Sequence, residues 1–377
     1  MKQPLACFLV TVFVLAFTGP IQAADWSFYG SVRMATFSVD VDQNVPGVDS
    51  DIDTQWALQP NSRIGANVTA GDVGGRFEYG STPNLRHLYG TWNFGAGTLL
   101  IGQTETPLNE FYSNQVVNTD NNLQLEGMIF QGRRGQIRLT FGGFDVAFIE
   151  PNVHATASRG KTVTSSTSTN SSSGATYVSG STTYGETGYN LPQIVLAYRY
   201  SSDLFSVKPF FGWQSYDAVT AVTSANQQES VSSVVYGLTG KVNIGPAFLA
   251  GSAFGGSNVG NMGVTTRTRS YGVIDPADGR IVDNTTMAIA GVIGFQLNDT
   301  FKFEGGYGVI NSDVTVAGAK TEDSGFSYYL QSTITVAPGA FIVPEVGVLS
   351  NDEITTGGVK TKESETTYVG AKWQINF

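Results

Sequence analysis

Apolar and polar side chains change places every second residue through most of this chain. "WSFYGSVRM" sets Trp26, Phe28, Val32 and Met34 against Ser27, Ser31 and Arg33. "QIRLTF" sets Ile137, Leu139 and Phe141 against Gln136, Arg138 and Thr140, and "FKFEGGYGV" sets Phe301, Phe303, Tyr307 and Val309 against Lys302 and Glu304. The closing stretch "YVGAKWQINF" keeps the pattern, with Val369, Ala371, Trp373, Ile375 and Phe377 in one row and Gly370, Lys372, Gln374 and Asn376 in the other. A period of two belongs to strands with one face buried. Charged residues are only 14% of the chain and aromatics 12%, which is little charge for the surface of a soluble domain. After the first 23 residues no stretch approaches the roughly 18 apolar residues of a spanning helix. Together these predict a β-barrel whose apolar rows face lipid. Closure leaves no unpaired edge and no unsatisfied backbone group there.

The first residues read differently. Lys2 is followed by an apolar run, Leu5 to Phe17, broken only by Cys7 and Thr11, and then by Thr18-Gly19-Pro20 and Ile21-Gln22-Ala23. This predicts an export signal over 1–23, cleaved after Ala23 or Ala24. The apolar run is too short to span, where about 20 residues are needed. Cys7 is the only cysteine, so the exported chain has no thiol for a disulfide, a nucleophile or a metal. The net charge of −10 argues against nucleic acid as a partner.

Residues 24–377 read as one all-β domain, a transmembrane antiparallel barrel of sixteen strands, the second over 53–70. Short Gly, Asn, Asp and Pro turns such as Gly142-Gly143 and Asn298-Asp299 alternate with connections that are usually longer and polar, as expected where one barrel end faces the periplasm and the other faces outside. A nearly uncharged Ser/Thr/Gly-rich island at about 151–189 reads as a flexible external loop.

The chain resembles the general porins of Gram-negative outer membranes. "FYGSVRMATF" is similar to the first porin strand and "SRIGANV" to the second, with Arg63 at its basic position. "RHLYGTWNFGAGTLLIGQ" resembles the hairpin before the constriction loop, with Arg86 at another basic position, and Glu110-Phe111 in "NEFYSN" resembles the Glu-Phe pair of that loop. Gly370, Trp373, Ile375 and Phe377 resemble the terminal signal read by the barrel assembly machinery. The resemblance implies a homotrimer in contact with outer-membrane lipid and lipopolysaccharide, and a loop at about 104–131 folded into the barrel as a constriction. Two departures stand out: "NEFYSN" lacks the Pro and paired Gly of the family motif, and the external connection at 81–84 is very short for a loop that latches onto a neighbour.

Segment 104–131 holds Glu105, Glu110, Asp120 and Glu126 and no Lys or Arg. The expected basic wall opposite it comprises Arg33, Arg63, Arg86, Arg134 and Arg138, with Glu78, Asp145 and Glu304 as partners if these arginines merely pair within the wall. Facing charges of this kind would set a transverse field that filters ions. Arg86 shares parity with Leu88 and Trp92, so it faces water only if Tyr89 faces lipid. Trp92 would then face inward, an exception to the interfacial girdle expected of Trp26, Trp56, Trp213, Trp373, Tyr198 and Tyr200. Asp49, Asp51 and Asp53, within an acidic run that includes Asp40 and Asp42, form a weak divalent-cation candidate without EF-hand spacing.

His87 and His154 lie in no nucleophile motif, which sets a hydrolase aside. The expected function is passive diffusion of small polar solutes and ions, with no covalent chemistry and no cofactor. A porin selective for sugars or organic acids is the alternative, and an adhesin or structural barrel is a weaker one. The acidic total suggests a mild cation preference, although charge at the constriction outweighs it.

Overall fold

The computed structural model describes residues 24–44, 50–82, 84–152, 168–169, 176–177, 185–188, 191–220, 227–264, 270–275 and 280–377. The export signal at 1–23, His154 and most of the Ser/Thr-rich island lie outside the described residues. Sixteen antiparallel strands close into a barrel. They are β1 (Asp25–Asp42), β2 (in two arms, Asp51–Leu58 and Arg63–Ala70), β3 (Val73–Gly80), β4 (Leu85–Asn93), β5 (Thr98–Glu105), β6 (Arg133–Phe141), β7 (Phe144–Ile149) and β8 (Gln193–Tyr198, continued by Tyr200–Ser201). The circuit continues with β9 (Phe205–Thr220), β10 (Gln227–Ile244), β11 (Ala247–Ser257), β12 (Thr285–Gln296), β13 (Phe301–Val316), β14 (Ala319–Ala337), β15 (Ala340–Ser350) and β16 (Glu365–Asn376). Each strand pairs with the next, and β1 pairs with β16 in a register that sets Ser31 opposite Asn376. Phe377 and Gly30 exchange both backbone hydrogen bonds at this seam.

The alternation resolves into two faces. Along β12, Met287, Ile289, Ile293 and Phe295 point outward while Ala288, Ala290 and Val292 are buried inward. On β16, Val369, Trp373, Ile375 and Phe377 point outward and Lys372 is buried in the lumen. Tight turns gather at one end. At Gly142-Gly143 both residues have positive φ, 51° and 99°, the pair of left-handed conformations that a two-residue hairpin matched to strand twist demands. Near the same end aromatic rings cluster in pairs: Trp26 with Phe28, Trp92 with Phe94, Phe94 with Phe141, Phe144 with Tyr198 and Tyr200 with Phe205. Such a girdle suits a membrane–water boundary.

Two irregularities shape the interior. The sequence predicts one unbroken second strand over 53–70; β2 is instead split at Gln59-Pro60-Asn61-Ser62. Pro60 has no N–H to give to the ladder. Ser62 repairs part of the gap, its hydroxyl accepting from the Arg33 amide at 2.9 Å. The break carries two more residues than the facing part of β1. It frees Gln59 and Asn61 to reach inward.

On β4, Glu78 faces His87 but Tyr79 faces Leu85, so Arg86 is an extra residue, a β-bulge. The bulge turns Arg86 and His87, although adjacent, both into the interior, and Leu88 resumes the outward row. Simple parity therefore misleads here. Arg86 faces the lumen although Leu88 faces out. Tyr89 does not face lipid but packs edge-on to His87, and Trp92 shares the outward row of Leu88 rather than turning inward.

Candidate functional site

Residues 104 and 105 complete β5, so the crossing loop runs from 106 to 132. It lies inside the barrel and is held by apolar packing and by the wall's polar groups. Leu108 and Ile129 pack with Ala147, Val195, Phe210, Val235, Ala288 and Ile310, on β7 to β10, β12 and β13. Val116 and Val117 reach across to Ala35, Phe37, Val343 and Tyr368. Leu123 and Met128 meet Ala290, Val292 and Tyr329. The loop comes so close to β13 that a Cβ on Gly308 would stand 2.0 Å from the Glu126 carbonyl oxygen; only glycine fits there.

Wall carboxylates satisfy the loop's backbone. The Val116 and Val117 amides donate to Glu345 at 2.8 and 3.1 Å, and the Asn114 amide donates to Glu304 at 2.7 Å. From the break in β2, Gln59 donates to the Val116 carbonyl, and Asn61 donates to the Thr119 carbonyl and to Asp120. Asn118, Thr119, Asp120, Asn122 and Leu123 all have positive φ. For non-glycine residues this is strained, at about 1–3 kcal/mol each where the region is sparsely populated, and persists only where surroundings over-determine it. The strained turn presents Asp120, which pairs with Arg33 and, at 2.9 Å, with Lys372.

A second external segment folds in beside the loop. Val259, Met262 and Val264 are fully buried against it, and the Met262 carbonyl accepts a 2.7 Å hydrogen bond from Gln131. No local pattern in the chain signals this contact.

Two water-accessible cavities lie beside the loop. One, of about 660 Å³, is lined by Arg33, Arg63, Arg76, Arg86 and Arg133, together with His87, Glu105, Asp120, Phe111 and Phe130. The second, of about 550 Å³, is lined by Arg33, Lys241, Lys302 and Lys372, with Asp120, Glu304, Phe111 and Phe341. Arg33, Phe111, Asp120 and Asn122 line both, so the two cavities adjoin at these residues, the neck of the lumen. The arginines of the first cavity come one each from β1, β2, β3 and β4 and from the start of β6. Beneath them lies Glu78, which is 0% exposed. Its carboxylate meets Arg86, Arg76 at 2.7 Å, Arg63 at 3.7 Å and the Tyr29 hydroxyl at 2.8 Å. Glu105 holds Arg133 at 3.1 Å. Across both cavities, eight cationic side chains face Glu105, Asp120 and Glu304. The chain's acidic total therefore does not extend to this lining.

The predicted site residues divide. Arg33, Arg63, Arg86, Glu105 and Asp120 line the cavities. Glu110 and Glu126 line neither. Glu110 is buried in the joint between loop and wall, where Arg199 at 2.8 Å, Lys208 at 2.9 Å and the Thr239 hydroxyl at 3.0 Å hold it. Burial alone would raise the Glu110 pKa, but these cations outweigh it and hold the carboxyl below its usual range. Glu126 is buried at the close approach to β13, with Asn121 at 3.4 Å. Arg134 and Arg138 line neither cavity; Arg134 ties β6 to Asn152 at 2.8 Å. Lumen residues absent from the predicted set are Arg76, Arg133, Lys241, Lys302 and Lys372. Their places in the polar rows were the available signal. Asp51 and Asp53 are exposed on the first arm of β2 and Asp49 lies outside the described residues, among which no group of three potential metal ligands comes together.

No protein-family model and no curated protein matches the chain. Solved structures do. The outer membrane channel DcaP of Acinetobacter baumannii superposes with a TM-score of 0.64 at 16% identity, covering 94% of this chain and 98% of that one. OmpT, an outer membrane protein of Vibrio cholerae in its trimer form, gives 0.56 at 15%, covering 94% and 100%. The anion-selective porin from Comamonas acidovorans gives 0.52 at 12%, covering 94% and 100%. At these identities the likeness is one of fold: the chain has the sixteen-stranded barrel of the outer-membrane porins.

Proposed function

We propose that the protein is an outer-membrane channel through which small hydrophilic solutes and ions diffuse, with anions favoured over cations. The observation that carries this reading is the pair of charged cavities joined at one neck, with eight cationic side chains against three carboxylates. In a narrow, low-dielectric passage such an excess raises the local concentration of anions and opposes cations. The outward apolar rows and the aromatic girdle support a lipid surround. His87 is buried among Thr104, Glu78 and Glu105, and those two carboxylates are committed to arginines, which supports a structural place for it rather than hydrolysis. The segment 1–23 would direct export, and the row ending at Phe377 would be read by the assembly machinery.

A homotrimer fits the wall's uneven height. β3 to β7 have 6 to 9 residues, while β9 to β16 have 11 to 19. A tilted strand needs about 9–11 residues to cross the hydrocarbon, so the low sector gains most from a neighbour's cover. The decisive experiment is the reversal potential of the purified protein in a planar bilayer under a potassium chloride gradient. Chloride preference is expected. Absence of conductance defeats the channel reading, and potassium preference defeats the anion assignment.

A further inference from the structure

The neck holds a residue that a simple polar filter does not need. Phe111 is 48% exposed and lines both cavities. Phe130 stands edge-on to it with ring centroids 6.0 Å apart and lines the arginine cavity. Neither ring is a loose end. Glu110, next to Phe111, is clamped by Arg199 and Lys208, and Ile129, next to Phe130, is fully buried. Leaving a phenylalanine half wet forgoes part of the gain that full burial gives. That deficit is recovered whenever an apolar body covers the ring.

The arginines on the same cavity have unused donors. The Arg63 side chain makes no hydrogen bond among the described residues, its only ionic partner there being Glu78 at 3.7 Å. Arg86 engages Glu78 through Nε, which leaves its two terminal nitrogens uncommitted. A guanidinium fork with open donors matches a carboxylate in two-pronged geometry.

We infer that the constriction is a binding subsite for small aromatic carboxylates, whose ring covers Phe111 and Phe130 while the carboxylate is held by Arg63 and Arg86. This rests on the channel reading and deepens it. Anions without a ring would pass the neck with little residence, whereas aromatic ones would pause there.

The test is single-channel recording of the full-length protein with sodium benzoate, sodium acetate, benzamide or glucose 6-phosphate added to the chloride bath. Benzoate is expected to interrupt the current at concentrations at least about tenfold below acetate, with benzamide and glucose 6-phosphate no better than acetate. Phe111→Ala should raise the conductance and erase the difference between benzoate and acetate, and Arg63→Gln should weaken the benzoate block while leaving that of benzamide unchanged. Equal block by benzoate and acetate in a conducting, anion-preferring channel overturns the subsite and leaves the channel reading standing. Block by glucose 6-phosphate as strong as that by benzoate overturns the aromatic assignment, and no conductance at all removes both readings.

Discussion

The wall from β1 to β6 and the wall from β7 to β13 turn different side chains inward. The first presents arginines over one buried carboxylate and stays wet. The second presents Ala147, Val195, Val235, Ala288 and Ile310 where the crossing loop seals against it through Leu108 and Ile129, helped by Val259 and Met262, and turns Lys241, Lys302 and Glu304 toward the second cavity. Both walls present outward apolar rows. The difference teaches that a channel's cross-section depends on which inner wall the loop can wet and which it can dry. Apolar inner residues draw the loop, charged ones such as Glu345 and Lys208 tie it down, and the arginines it leaves uncovered keep water beside it.

The contrast can be tested from its dry side first, where the largest effect is expected. Leu108→Asp puts a charge among the buried apolar side chains of that seam. It should cost more than about 4 kcal/mol, seen as loss of the folded band in unheated electrophoresis; a stable barrel would show that the seam is wetter than its packing. Glu78→Gln, on the wet side, leaves arginines uncompensated and should cost about 3 kcal/mol or more. Here high salt should recover part of the loss, because ions screen the arginines. Salt should do nothing for Leu108→Ala, whose cost of about 2–5 kcal/mol is transfer and cavity. Denaturant melts of both variants at two salt concentrations decide it, and equal salt responses would erase the contrast.

Acid addresses the joint between the two walls. The Glu110 carboxyl has a folded-state pKa below 4.5, so its contribution is present above that value and is lost as pH falls through the lower, folded one. Conductance noise from a loosened loop should therefore grow only at strongly acid pH and should appear at neutral pH in Glu110→Gln. The smallest effect on stability, within about 1 kcal/mol, is expected of Arg63→Gln, a part-exposed lumen residue 3.7 Å from Glu78, which keeps Arg76 and Arg86. Its effect on the reversal potential should be plain, with anion preference reduced, and an unmoved potential would remove Arg63 from the conduction path.

Strand faces were legible because lipid and water alternate across each wall with a period of two. Lys372, Arg76 and Lys302 all stood in polar rows before any coordinate was known. Net charge does not describe the lining, because acidic residues such as Asp51, Asp53 and Glu322 are exposed away from the neck while cations outnumber carboxylates around the two cavities. The joint at Glu110 was not legible because its partners, Arg199, Lys208 and Thr239, are far along the chain, and no local pattern reports a joint of that kind. The break in β2 was signalled by Pro60, but the inward reach of Gln59 and Asn61 depends on where the crossing loop lies.

The bulge at Arg86 and His87 has a consequence for anyone recoding this barrel. It is a phase slip in a two-beat code: before it, odd positions of β4 face out, and after it, even ones do. A combinatorial library that randomises every second residue along β4 to retune the pore would edit the water side up to residue 86 and the oily side from residue 88 onward. Deleting one residue there would restore the beat and remove one of two adjacent inward side chains, shrinking the alphabet with which the lumen can be written.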